Sequence, residues 1–206
     1  MMMAEKKANT NYPIIDELSQ RWSPRAFSNQ AVEDEKLLRI FEAVRWAPSS
    51  RNEQPWRFLV ARKGDEHYDQ LFEGLNEFNQ KWAWTAPVIG ASLAKVKMAH
   101  KGKEIADRIH DVGLAMGSFL AQATHEGLHV HQMAGIHPDK ILENFDIDGE
   151  EYEVVAMFVL GYQDFERLSE LDEEYYESEK KPRERKPLAE LISGNNFGKA
   201  PDWVKQ

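Results

Sequence analysis

Seven consecutive apolar residues, Val154-Val155-Ala156-Met157-Phe158-Val159-Leu160, run up to Gly161. An unbroken run of this length that stops at a glycine reads as a central strand covered on both faces, since a strand with one wet face would alternate. Such a strand commits the chain to layers of helix on a sheet, and the remaining patterns supply them. Residues 109–126 form the longest helical pattern, with Val112, Met116, Phe119 and Ala123 on one stripe and Gly127 as its terminator. The expectation is an α+β domain with a few buried strands and more helix than strand.

The other elements follow in order. Residues 1–12 read as a flexible leader, and 13–206 as one domain whose charged C-terminal part, from about 164, forms an arm. Ile14, Ile15 and Leu18 fit one face of a short helix ending before Arg21. From Asp34 a second helix carries Leu37, Leu38, Phe41 and Val44 on its stripe and acidic residues in its first turn, until Pro48 stops it. Residues 57–62 alternate as a strand, 68–78 read as a polar helix, and 87–93 as a buried strand. The charged stretch 164–181 is expected outside the core. Gly113, Gly117 and Ala121 recur every fourth residue of the long helix and leave a shallow groove, which suits either a tight internal helix contact or a subunit interface.

Composition narrows the chemistry. With no cysteine, disulfides, thiolate metal sites and cysteine nucleophiles are excluded. A net charge of -9 argues against non-specific nucleic-acid binding. No apolar run approaches the roughly 18 residues of a membrane span, and the N-terminal residues lead into polar sequence without the apolar segment of a signal peptide, so a cytoplasmic location is expected. Against this acidic background two basic clusters stand out. Arg21 and Arg25 flank Ser23 in Arg21-Trp22-Ser23-Pro24-Arg25, and Arg183, Arg185 and Lys186 lie near the C-terminus. In an extended segment residues 21, 23 and 25 project to one side, which suits a phosphate. The stretch Ala47-Pro48-Ser49-Ser50-Arg51-Asn52-Glu53-Gln54-Pro55-Trp56 adds amides that both donate and accept and a flat proline face. Together these features fit a phosphorylated, planar cofactor.

These motifs resemble those of the nitroreductase family. Its R-x-S-x-R/K motif matches Arg21, Ser23 and Arg25, and its A-P-S-S-x-N-x-Q-P-W motif matches Ala47 through Trp56. Asn79-Gln80-Lys81-Trp82 with Ala86-Pro87-Val88, the helix from Asp111 to Leu128, Val159-Leu160-Gly161-Tyr162 and Arg183-Glu184-Arg185-Lys186-Pro187-Leu188 are similar to later family segments in the same order. The resemblance implies a nitroreductase-like fold: a central mixed, mainly antiparallel sheet flanked by helices, in an intertwined homodimer with FMN at the subunit interface. It implies non-covalent FMN as cofactor and NAD(P)H as electron donor, with the flavin carrying the chemistry and no catalytic side chain required. By resemblance Arg21, Trp22, Ser23, Arg183 and Arg185 belong to the phosphate and ribityl end, and Arg25 to the polar ring edge. Pro48, Ser49, Ser50, Asn52 and Gln54 would reach over from the partner subunit, and Asn79 would contact the ring. Gln132, Met133, Ala134 and Gly135 lie where the family covers the flavin with backbone groups, although His131-Gln132-Met133-Ala134-Gly135 departs from the commoner P-x-G-G or E-G versions.

The implied activity is hydride transfer from NAD(P)H through FMN to a small electron-poor acceptor such as a nitroaromatic or quinone. The alternatives are a specialised branch working in dehalogenation, dehydrogenation or flavin breakdown, and a non-catalytic FMN store. No metal is expected: His129, His131 and His137 are close in sequence but have only Asp139 as a nearby carboxylate. No G-x-G-x-x-G is present, so a separate dinucleotide-binding domain is not expected.

Overall fold

The computed structural model describes residues 6–98 and 102–204. Among them the helices are α1 (Asp16–Gln20), α2 (Asp34–Arg45), α3 (Glu66–Phe72), α4 (Glu77–Ala83), α5 (Arg108–His125), α6 (Pro138–Asn144), α7 (Glu173–Lys180) and α8 (Leu188–Leu191). The strands are β1 (Trp56–Arg62), β2 (Val88–Lys95), β3 (His129–Met133) and β4 (Tyr152–Gly161), with short 3-10 turns at Ser50–Asn52 and Glu166–Glu170. The strands form one sheet in the order β1-β2-β4-β3, and every pairing in it is antiparallel.

The apolar run 154–160 lies within β4, an interior strand, and its side chains divide between two cores. Met157 and Val159 face a cluster with Leu71, Trp82, Ile89 and Ile141, under the α3, α4 and α6 side. Phe158 and Leu160 face the cluster with Ile40, Val44, Val112 and Phe119 from α2 and α5. An aromatic stack centres the second layer: Phe119 lies 4.9 Å from Phe158 and 5.5 Å from Phe41, centroid to centroid. The stripe of Val112, Met116, Phe119 and Ala123 is buried along its length, and Gly127, at φ +76°, ends the helix in the left-handed conformation.

Several elements differ from the sequence expectation. The segment read as one helix over 68–78 is two, because Gly74 approaches α6 closely and Asn76 caps α4 by accepting the Asn79 N–H at 3.0 Å. In α2 the stripe is rotated: Ile40 is buried while Leu38 is 68% exposed. Ile14, Ile15 and Leu18 do not pack within the protomer but stand exposed. The charged stretch 164–181 does enter the core, since Leu168, Leu171 and Tyr175 are buried in the first cluster. In α7 Tyr175 and Glu179 are buried on one face while Glu173, Glu174 and Glu177 are exposed, a division that overall charge hides. Of the leader, residues 1–5 lie outside the described residues; beyond them Lys6 donates to the Lys181 carbonyl and the Ala8 N–H to the Ser19 carbonyl. Among the described residues nothing lies within 4 Å of a Cβ added at Gly113 or Gly117, so the groove there is not an internal helix contact.

Gly90 in β2 shows how closely the layers approach. A Cβ placed there would lie 2.6 Å from the Leu59 carbonyl oxygen and against the Phe158 ring. Gly90→Ala is expected to destabilise the protein by about 1–3 kcal/mol through overpacking, read as a lower urea midpoint. A midpoint equal to that of the wild type would show that the sheet has slack at this point.

Candidate functional site

The segment after α1 runs extended past β3. Arg21, Trp22, Ser23 and Arg25 line one cavity of about 350 Å³, and its opposite wall comes from the C-terminal segment through Ser178, Glu179, Lys181, Arg183 and Arg185. The two basic clusters, some 160 residues apart in sequence, thus meet. Lys6 completes the lining.

Most of these cations are tethered. The Arg183 guanidinium donates to the Lys6 carbonyl at 2.8 Å and the Ser19 carbonyl at 3.1 Å. Lys6 donates to the Lys181 carbonyl at 2.6 Å and sits 5.0 Å from the Trp22 ring centroid. Arg25 pairs with Glu179 at 3.1 Å. Among the described residues Arg21 has only the Ser23 hydroxyl, at 3.3 Å. Burial, and then the nearby Arg183 and Arg185, lower the pKa of Arg21, and burial lowers that of Arg183 with Arg185 adding to it. Lys6 is lowered by burial too, Glu179 opposing and Arg183 reinforcing the shift. Cations brought together in this way favour an anion between them, and a phosphate fits the donor set.

Strand β3 backs this segment. His131 Nδ1 lies 2.9 Å from the Pro24 carbonyl, and its ring packs 4.4 Å from that of Trp82. His129 meets the edge of Trp22 at 6.2 Å, with its Nδ1 buried and unpartnered. Burial is the main cause that brings each histidine down to about 4; the positive charge of Arg21 adds to it at both, and that of Arg25 at His131. His137 stands apart, exposed before α6. Of the residues after β3's midpoint, Gln132 and Ala134 are exposed whereas Met133 is in the core, which leaves only its backbone for a ligand. The Gly135 carbonyl accepts from Asn79 Nδ2 at 2.9 Å and from the Asn76 N–H at 3.1 Å. Asn79, itself buried, therefore holds the loop after β3.

The second motif lies elsewhere. Pro48, Ser49 and Ser50 line a different cavity, of about 420 Å³, with Asp107, His110, Asp111 and Leu114 around the start of α5. The two linings share no residue. Arg51, Asn52 and Gln54 all have positive φ, at 53°, 57° and 47°. Three side chains secure this loop: buried Asp111 accepts the Ser50 N–H at 3.0 Å, Ser49 Oγ accepts the Gln54 N–H at 3.0 Å, and Arg57 Nη1 donates to the Gln54 carbonyl at 3.1 Å. Asn52 is exposed, and Gln54 donates to the Asn52 carbonyl at 3.2 Å.

Sequence reasoning missed Lys6, Glu179 and Asp111. Lys6 lies in a polar leader and Glu179 in a run of charges, so neither carries a local signal. Asp111 did carry one, as a carboxylate in the first turn of a helix otherwise set to be buried.

Residues 18–80 and 65–162 match the sequence pattern of the Nitroreductase family. A solved structure described as an oxidoreductase containing FMN is similar at a TM-score of 0.86 and 36% identity, covering 96% of this chain and 98% of that one. A nitroreductase family protein from Clostridium difficile 630 shares the fold at a TM-score of 0.68 and 24% identity, over 90% of this chain and all of that one (100%). The major NAD(P)H-flavin oxidoreductase of Aliivibrio fischeri is 24% identical, with 73% of this chain and 88% of that protein covered.

The half-buried histidines of β3 predict an acid-sensitive fold. In the unfolded chain each imidazole takes up its proton near pH 6.5, but in the folded protein only near pH 4. Between those values the unfolded state binds more protons, so stability is full above about pH 6.5 and falls as pH drops toward 4, by up to roughly 3 kcal/mol per histidine. The melting temperature of His129→Phe should fall less between pH 7 and pH 4.5 than that of the wild type. Parallel curves would mean that His129 is not buried neutral.

Proposed function

Because this chain belongs to the nitroreductase family, we propose that it is an FMN-dependent oxidoreductase that takes a hydride from NAD(P)H and reduces a small electron-poor acceptor, a nitroaromatic or a quinone. The observation that carries this reading is the cavity in which Arg21, Ser23, Arg183 and Arg185 converge. Two or three charge-assisted hydrogen bonds to a phosphate, each worth roughly 1.5–3 kcal/mol, account for much of a micromolar affinity. The similar structure at 36% identity is described as containing FMN, which agrees with this donor set.

The flavin, when bound, supplies the hydride and electron transfer chemistry. The chain's own residues bind and orient it. Arg21 and Ser23 serve the phosphate; Arg183 is oriented beside them by two carbonyls. Arg25 stands further along the same wall for the polar ring edge. Gly135 lets the loop after β3 pass close to α4, since a Cβ there would lie 2.5 Å from Asn76 Nδ2.

The working unit in this proposal is a homodimer. The second motif leads into edge strand β1, while the first lies against the opposite edge strand, β3. Three strand spacings of about 4.8 Å separate those edges, so one protomer holds the two motifs apart. A partner placing Ser50, Asn52 and Gln54 at the first cavity would complete the pocket. The open face of α5 at Gly113 and Gly117 offers the contact, with exposed Ile109 and Leu114 beside it.

Purified protein is expected to bind FMN, and anaerobic addition of NADH or NADPH to bleach its flavin absorbance. Arg21→Ala should weaken FMN about 10- to 100-fold while leaving riboflavin, which has no phosphate, unchanged. Equal wild-type affinities for FMN and riboflavin by fluorescence titration contradict the phosphate assignment. In sedimentation, Gly117→Leu should convert a dimer into monomers that lose FMN; a wild-type monomer with stoichiometric FMN rules out the shared pocket.

A further inference from the structure

One carboxylate stands among the cations of the cofactor cavity. Glu179, in the last turn of α7, is 3% exposed, and its Oε1 accepts from Arg25 Nη1 at 3.1 Å. Ser178 Oγ lies 3.5 Å from the same nitrogen. The guanidinium carbon is 5.8 Å from the ring centroids of both Trp82 and Tyr175, and Thr85 Oγ1 donates to the Arg25 carbonyl at 3.2 Å. Arg25 is thus held by a carboxylate, two aromatic faces and its own backbone, yet it still lines the cavity with Arg21 and Ser23. Nothing in phosphate binding asks for this arrangement: a carboxylate in that wall weakens the attraction for an anion.

We propose that Glu179 is a positioning residue that fixes Arg25 and offsets its charge, and thereby keeps the reduction potential of the bound flavin low. The inference rests on the FMN reading above. Hydride from NAD(P)H carries two electrons and one proton, and leaves NAD(P)+ and a flavin ring system with one added negative charge. A cation at the ring edge favours that reduced form, whereas a carboxylate bound to the cation cancels part of the effect. In the FMN reading Arg21, Arg183 and Arg185 are assigned to the phosphate, which leaves Arg25 with Glu179 as the pair to act on the ring.

The test is the midpoint potential of bound FMN in Glu179→Gln, with oxidised FMN affinity measured beside it. The amide keeps the shape and an oxygen for Arg25 but removes the charge. Affinity for reduced relative to oxidised FMN should rise about tenfold, a potential about 30 mV higher for a two-electron couple. Glu179→Asp, which retains the charge, should stay near the wild type; a shift as large as that of the amide overturns the charge argument. An unchanged potential in Glu179→Gln overturns the proposal as well. Should the single variant not fold, Arg25→Gln/Glu179→Gln removes both charges and leaves neither partner buried and unpaired. Its potential should stay near that of the wild type, because the two charges it removes offset one another at the ring; a shift of about 30 mV or more overturns the offset. Wild-type protein that does not bind FMN would instead sink the cofactor reading itself, a result distinct from all of these.

Discussion

The crowding of like charges at one cavity is the constraint around which the two ends of the chain are arranged. Lys6, Arg21, Arg25, Lys181, Arg183 and Arg185 line it with Glu179 as the sole carboxylate, in a chain whose net charge is -9. Their repulsion is met mainly by carbonyl oxygens: Arg183 takes those of Lys6 and Ser19, and Lys6 takes that of Lys181. Carbonyls orient cations without neutralising them, so a positive field persists at Arg21 and Arg185. A site built in this way favours an anion, and it joins the leader, the segment after α1 and the C-terminal arm through one set of contacts.

The sheet decides what those contacts reach. Because β4 is interior and covered on both sides, the functional segments are confined to the sheet's ends and edges, where loops emerge. The β3 edge receives the first motif through Pro24 and His131, and the β1 edge continues from the second. Helix α5 covers one face between them and turns Gly113 and Gly117 outward. The same fold that buries Phe119 against Phe158 therefore leaves a small-residue stretch of helix open and the two motifs at opposite edges.

Much of this was legible in the sequence, and the reasons differ by residue. The apolar run to Leu160 identified an interior strand because no exposed face interrupts it, and the stripe of Val112, Met116, Phe119 and Ala123 identified α5 because helix periodicity and burial coincide there. The spacing of Arg21, Ser23 and Arg25 placed three side chains in one cavity because the segment is extended. Leu38 misled because hydrophobicity does not say whether a face is covered by the same chain, and Ile15 and Leu18 misled for the same reason. Tyr175 and Leu171 were hidden within a run whose charges dominate its average. The pairing of Arg25 with Glu179 was beyond reach, since a contact across more than 150 residues leaves no local pattern.

The loop from Ser49 to Gln54 shows how far local cost and assembly are tied together. Three of its non-glycine residues, Arg51, Asn52 and Gln54, sit in the left-handed region, where each costs on the order of 1–3 kcal/mol when surroundings must hold it there. Asparagine tolerates that conformation better than arginine or glutamine. Within the protomer the loop is held mostly through its own backbone: Asp111 holds the Ser50 N–H, Ser49 the Gln54 N–H, Arg57 the Gln54 carbonyl, and the Lys95 N–H the Pro55 carbonyl at 2.8 Å. Pro48, Arg51 and Asn52 remain exposed. A shape that is costly, anchored by a buried carboxylate and yet turned toward solvent does little for the stability of its own core. Its cost is accounted for when the loop's face is read as one half of a pocket that a second copy completes, the role that the dimeric proposal gives it.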